Sequence, residues 1–117
     1  MKIKAALMLA LVGALIAASA ARAQENRPTL NKSATIAAGN TFQTILPAAS
    51  PWSLTIQNNN TNSDNCWIFI GSGTASKGAS ILLGPGGSYG RYYPYVPSDV
   101  IQGTCATTSD TLYVDTQ

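Results

Sequence analysis

The sequence predicts an all-β protein, a small antiparallel β-sandwich of jelly-roll or immunoglobulin type with seven to eight short strands and one disulfide. Three observations predict it. Beyond residue 23 no stretch repeats its apolar residues at helical spacing. Turn residues recur every 8–12 positions along a chain rich in Thr, Ser, Asn and Gly. Two cysteines, Cys66 and Cys105, accompany an export signal, and together they predict a disulfide formed in an oxidising compartment.

The export signal occupies residues 1–23. Lys2 and Lys4 precede an unbroken apolar run, Ala5–Ala18, and "SAARA" (19–23) adds the small residues of a cleavage site. Cleavage is expected after Ala23, with Ala20 as the second choice, and no cysteine follows either site to carry a lipid. The run is shorter than the roughly 20 residues of a membrane-spanning helix. The expected product is exported, periplasmic or extracellular, with no membrane span.

Cleavage at Ala23 leaves 94 of 117 residues, one domain's worth. Four basic residues then face five acidic ones, a net charge of −1, so the pI near 8.7 belongs to the precursor. No basic field remains to attract nucleic acid. The disulfide would close a loop of roughly 40 residues, adding about 4 kcal/mol by loop-closure entropy.

Residues 24–32 are polar, contain Pro28 and read as a flexible leader, with the β domain spanning 33–117. "SATIAA" (33–38) reads as a strand, Gly39-Asn40 as a turn, "TFQTIL" (41–46) as a strand ended by Pro47, and "PAASP" (47–51) as a connector. "WSLTIQ" (52–57) alternates most clearly: Trp52, Leu54 and Ile56 on one face, Ser53, Thr55 and Gln57 on the other. "NNNTNSDN" (58–65) reads as a polar loop.

"CWIFIG" (66–71) breaks the alternation. Cys66, Ile68 and Ile70 share one face while Trp67 and Phe69 fill the other. Such a strand needs cover on both sides, from a loop laid over it or from a partner. "GSGTASKGAS" (71–80) reads as flexible and "ILL" (81–83) as a short strand. In "GPGGSYGRYYPYVP" (84–97), Pro85 and Gly86-Gly87 predict a hairpin turn that starts a strand at Tyr89, and Tyr92–Pro97 an extended aromatic-proline connector across the sandwich end. "DVIQGTCA" (99–106) places Ile101, Gly103 and Cys105 on one face, "TTSD" (107–110) turns the chain, and "TLYVDT" (111–116) points Leu112 and Val114 inward.

Chemistry is limited by what the chain lacks. With no histidine, Ser-His and Cys-His nucleophiles and histidine-based zinc sites are closed. The acids are Glu25, Asp64, Asp99, Asp110 and Asp115, and no spacing among them specifies the carboxylate pair of a glycosidase. The expectation is therefore no enzyme, no cofactor and no metal. Residues 58–65 offer alternating oxygen ligands but only one charge, Asp64, which suits a self-capped Asn-rich hairpin loop better than a calcium site. Asn31-Lys32-Ser33 and Asn59-Asn60-Thr61 fit the glycosylation sequon.

Candidate contact residues are therefore aromatic: Trp67, Phe69, Tyr92, Tyr93 and Tyr95, with Arg91 among the tyrosines. Two orientations of the tyrosines fit the sequence. Turned inward, they pack the end of the sandwich; turned outward, they stack on a ligand such as a sugar.

"SLTIQNNN" (53–60), "CWIFIGSGTAS" (66–76) and "ILLGPGGSYGRYYPYVPSDVIQGTCA" (81–106) in that order resemble small virion accessory proteins of tailed phages. The resemblance covers residues 36–114. It implies a β-sandwich acting as a fibre or decoration part, a non-enzymatic assembly surface with protein partners. Separately, low charge and short exposed strands offer edges for self-association. The signal peptide and the cysteine pair depart from that pattern, since virion parts assemble in the cytoplasm. The expected function is an exported assembly or surface-binding module. The alternative is a carbohydrate-binding module that uses the Tyr-rich segment 89–95 on a surface glycan.

Overall fold

The computed structural model describes residues 28–117. The signal-peptide reading of residues 1–23 and the start of the leader lie outside the described residues. Nine strands form: β1 (Leu30–Asn31), β2 (Ala34–Thr35), β3 (Gln43–Leu46), β4 (Ser53–Asn58), β5 (Cys66–Ile70), β6 (Ile81–Leu83), β7 (Ser88–Tyr92), β8 (Ile101–Cys105) and β9 (Thr111–Thr116). A short 3-10 turn at Lys77–Ala79 interrupts the loop between β5 and β6.

The two shortest strands act as one. Leu30 pairs with Thr116, Asn31 with Asp115, Ala34 with Leu112 and Thr35 with Thr111, a single unbroken register. Between them the Lys32 amide donates to the Val114 carbonyl at 2.7 Å, and past them the Ile36 amide donates to that of Asp110 at 2.8 Å. The end of the expected leader is therefore the start of an edge strand. Counted this way there are eight strands, within the range the sequence predicts.

These eight pair as a nested set. The first (β1 and β2) pairs with the last (β9), β3 with β8, β4 with β7, and β5 with β6, all antiparallel. The pairs alternate between two sheets. β9 joins β4 and β8 joins β5, which gives the orders β1/β2-β9-β4-β7 and β3-β8-β5-β6. A long antiparallel ribbon wrapped over itself in this way is a jelly roll, which decides between the two sandwich types left open by the strand pattern. It also corrects the turn at Gly84–Gly87. Gly86 takes the expected positive φ of 75°, and the Gly87 amide donates to the Gly84 carbonyl at 2.8 Å. Yet β6 and β7 belong to different sheets, so the turn crosses the sandwich and is no hairpin.

The core lies between the sheets. Leu54, Ile56, Leu112 and Val114 face Ile45, Ile68, Ile101 and the disulfide, all buried. Cys66 and Cys105 sit directly opposite each other on neighbouring strands β5 and β8 and are bonded. Gly103 faces the same core, and a Cβ there would lie 2.8 Å from Leu112 Cδ1. The absence of a side chain lets the sheets close at this point.

Asn58, expected in the loop, extends the buried face of β4 instead and is fully enclosed. Its side-chain amide donates to the carbonyls of Asp64 and Leu83, both at 2.9 Å. Its oxygen accepts from Asn62, whose amide also reaches the Thr111 carbonyl at 2.9 Å. Nearby, the Asn59 side-chain oxygen accepts from the Thr61 amide at 3.0 Å. The side chains of Asn58, Asn59 and Asn62 thus cap the loop and close one end of the sandwich, as their composition predicts. The loop runs from β4 in one sheet to β5 in the other, however, so it is not the expected hairpin.

Candidate functional site

β7 is an edge strand, and its register decides where its aromatic rings point. Tyr89 lies opposite Ile56 and Arg91 opposite Leu54, so both share the inner face with those core residues. Tyr92 lies opposite Ser53, on the outer face. Tyr93 continues the ladder, its amide donating to the Trp52 carbonyl at 2.9 Å. The peptide bond from Tyr93 to Pro94 is cis, and the Tyr95 amide donates to the Tyr92 carbonyl at 2.9 Å, which closes a tight turn.

Two turns of chain meet at this end. Trp52 enters β4 just after Pro51 and stacks on Tyr93, ring centroids 4.0 Å apart and planes within 3°. The Trp52 amide donates to the Gln117 carbonyl, and the Ala49 amide to that of Ser98 at 3.2 Å, so both chain ends of the stack are fixed. The tyrosines turn outward: Tyr92 is 70%, Tyr93 61% and Tyr95 80% exposed. The result is an aromatic ledge. A parallel pair of rings forms its middle, Tyr95 stands beside it, and Tyr92 belongs to the outer sheet face.

Arg91 does not join the ledge. Its guanidinium lies 4.5 Å over the Tyr89 ring and donates to the Gly90 carbonyl at 2.9 Å. With Tyr93 and Gly87 bonded toward β4, it is Ser88, Gly90 and Tyr92 that turn their backbone groups to the open edge. Arg91 occupies the Gly90 carbonyl and the Tyr95 amide that of Tyr92, so two acceptors of the β7 edge are taken and a further strand is disfavoured.

Trp67 and Phe69 stand apart, on the outer face of the other sheet. Both are half-buried. The loop 71–80 folds back over them: Lys77 Nζ lies 4.0 Å above the Trp67 ring, and Gly73 passes the Phe69 ring. Lys77 also donates to the Asn40 side chain at 2.5 Å, which pins the loop to the turn before β3. This is the loop cover that a strand apolar on both faces requires. β5 is also central, between β8 and β6. The contact candidates therefore divide into an open group, Tyr92, Tyr93 and Tyr95, and a covered group, Trp67 and Phe69.

The composition pointed to the tyrosines but not to Trp52, whose place in an alternating strand marks it as a core residue. Its position directly after Pro51, at the very start of the strand, was the one sign that it sits at the rim.

The ledge carries indole and phenol rings and no nucleophile with a base. Elsewhere, the Asp64 carboxylate accepts from the Thr107 hydroxyl. Asp110 lies near the two cysteine sulfurs, but these are bonded to each other and are not available as a metal-ligand pair. Among the described residues no helix is long and apolar enough to cross a membrane. Comparison of the chain with known protein families, with curated proteins and with solved structures finds no match. The resemblance to phage accessory proteins therefore rests on its motifs alone.

Proposed function

We propose that this chain is an exported, non-enzymatic jelly-roll module that works by surface contact, and that the Trp52–Tyr93 stack with Tyr95 is its contact surface for a neutral carbohydrate. The observation that carries this reading is the exposure of three tyrosines beside an ordered ring stack. Such rings have apolar faces and polar tips, which suits a ligand with both C–H faces and hydroxyls. The ordered stack and the tight turn lower the entropy lost on binding. A nucleic acid would need phosphate-neutralising residues, and the one cation of this segment, Arg91, is turned back onto its own strand.

Titration with a panel of neutral oligosaccharides, followed by tryptophan fluorescence, tests the reading. A spectral change that saturates in the wild type and is lost in Tyr93→Ala and Tyr95→Ala supports it. A flat response across the panel removes it.

A second reading, assembly of the kind found in phage accessory proteins, is favoured by one observation. Edge strand β6 exposes Ile81 (40%) and Leu82 (55%), and its outer edge has no strand beside it among the described residues. Light scattering tests this: oligomers that dissociate on Leu82→Lys support it, and a monomer at high concentration opposes it.

A further inference from the structure

At the opposite edge of the β4–β9 sheet, the two sheets part. A cleft of about 400 Å³ opens there between edge strand β1 and edge strand β3. Its walls are Leu30, Ile45, Leu46, Pro47 and Pro51, and among the described residues Lys32 is the one charged residue that lines it. The size falls within the range of small-ligand pockets.

The register explains the lysine. Leu30, Ala34 and Ile36 face inward on alternate positions of the edge strand, and Lys32 falls between them, opposite the buried Val114. An alternating strand would carry an aliphatic residue here. The lysine instead brings an ammonium to the rim of an aliphatic cleft, with no carboxylate among the described lining residues to neutralise it. Ser50 and Thr116 add side-chain hydroxyls.

We propose that this cleft binds a small amphiphile with an aliphatic body and a single negative head group, the body between the sheets and the head on Lys32. Charge complementarity sets the sign, and the apolar walls set the body, since each methylene taken from water favours binding. A neutral amphiphile leaves the ammonium without a partner in the bound state. A cationic one is repelled. The site is distinct from the aromatic ledge and does not depend on it.

An inward-facing lysine on an edge strand also deters strand addition, and the experiment separates the two roles. The purified protein is titrated with decanoate, decanol and a decyltrimethylammonium salt, by calorimetry below micelle-forming concentrations. The expected result is saturable binding of decanoate, at least about tenfold tighter than that of the other two, the effect of one charge-assisted contact. Lys32→Met, which keeps the aliphatic stem, should lose about the same factor. Ala49→Trp, at an exposed position on the cleft wall, should abolish binding while thermal unfolding stays unchanged. Decanoate binding that is absent, or equal in Lys32→Met and wild type, overturns the proposal. Self-association of Lys32→Met with unchanged decanoate affinity would assign the lysine to edge protection instead.

Discussion

The side-chain amide of Asn62 donates to the side-chain oxygen of Asn58 at 2.7 Å, with both residues buried. The pair ties β4 to the loop after it, and through the Leu83 and Thr111 carbonyls to one strand of each sheet. Removing the Asn58 side chain takes a donor from the Asp64 and Leu83 carbonyls and an acceptor from Asn62, and each buried group left unsatisfied costs about 1–3 kcal/mol. Asn58→Ala is therefore expected to destabilise the protein by about 2–4 kcal/mol. Urea unfolding measures this; a loss under about half a kcal/mol would mean that water replaces the lost bonds.

Gly103 offers a test from the packing side. A methyl group there meets Leu112 Cδ1 at 2.8 Å and two carbons of Ile45 at 3.1 Å. Gly103→Ala should cost about 1–3 kcal/mol by overpacking. The double variant with Ile45→Val, which removes the Ile45 Cδ1 contact, should recover part of the loss. Equal stability of the single and double variants would show that Ile45 is not the obstacle.

The disulfide spans a sequence separation of 39 residues and joins the two central strands of its sheet. Replacing both cysteines by Ala should lower stability by about 4 kcal/mol. Wild-type protein unfolded in the presence of a strong reductant should show a comparable loss. If the reduced protein unfolds at the same urea concentration as the oxidised one, the cross-link contributes nothing to stability.

Arg91 carries a prediction about solubility. Its guanidinium caps the Gly90 carbonyl and covers Tyr89. Arg91→Ala exposes that carbonyl on an edge strand, so larger species should appear with rising concentration in sedimentation, relative to wild type. Unchanged sedimentation would show that the Tyr95 turn alone protects the edge.

Much of the fold is legible in the chain because local patterns report local burial. Leu54, Ile56, Leu112 and Val114 are buried where alternation places them. Trp67 and Phe69 announce a strand that needs cover, and the cover is there. What local pattern cannot report is pairing over distance. Nothing around Leu30 marks it as the partner of Thr116, and a Pro and polar neighbours make it resemble a leader. Asn58 misleads in another way. Its residue type belongs to loops, and only the partners supplied by its own loop, Asn62 and Asp64, and by the distant Leu83 make its burial tolerable. The ledge was half legible: the tyrosines by composition, their outward turn and their stack with Trp52 only by tertiary contact.

The nested pairing also fixes an order of events. A chain that emerges amino terminus first presents β1 and β4 long before β9, the strand that lies between them. Until Thr111–Thr116 arrive, one of the two sheets lacks its interior member, and strands already released have no native neighbour to hold. This chain therefore completes its folding only once its last strand is free. During that wait its unpaired strand edges are exposed to association with other chains.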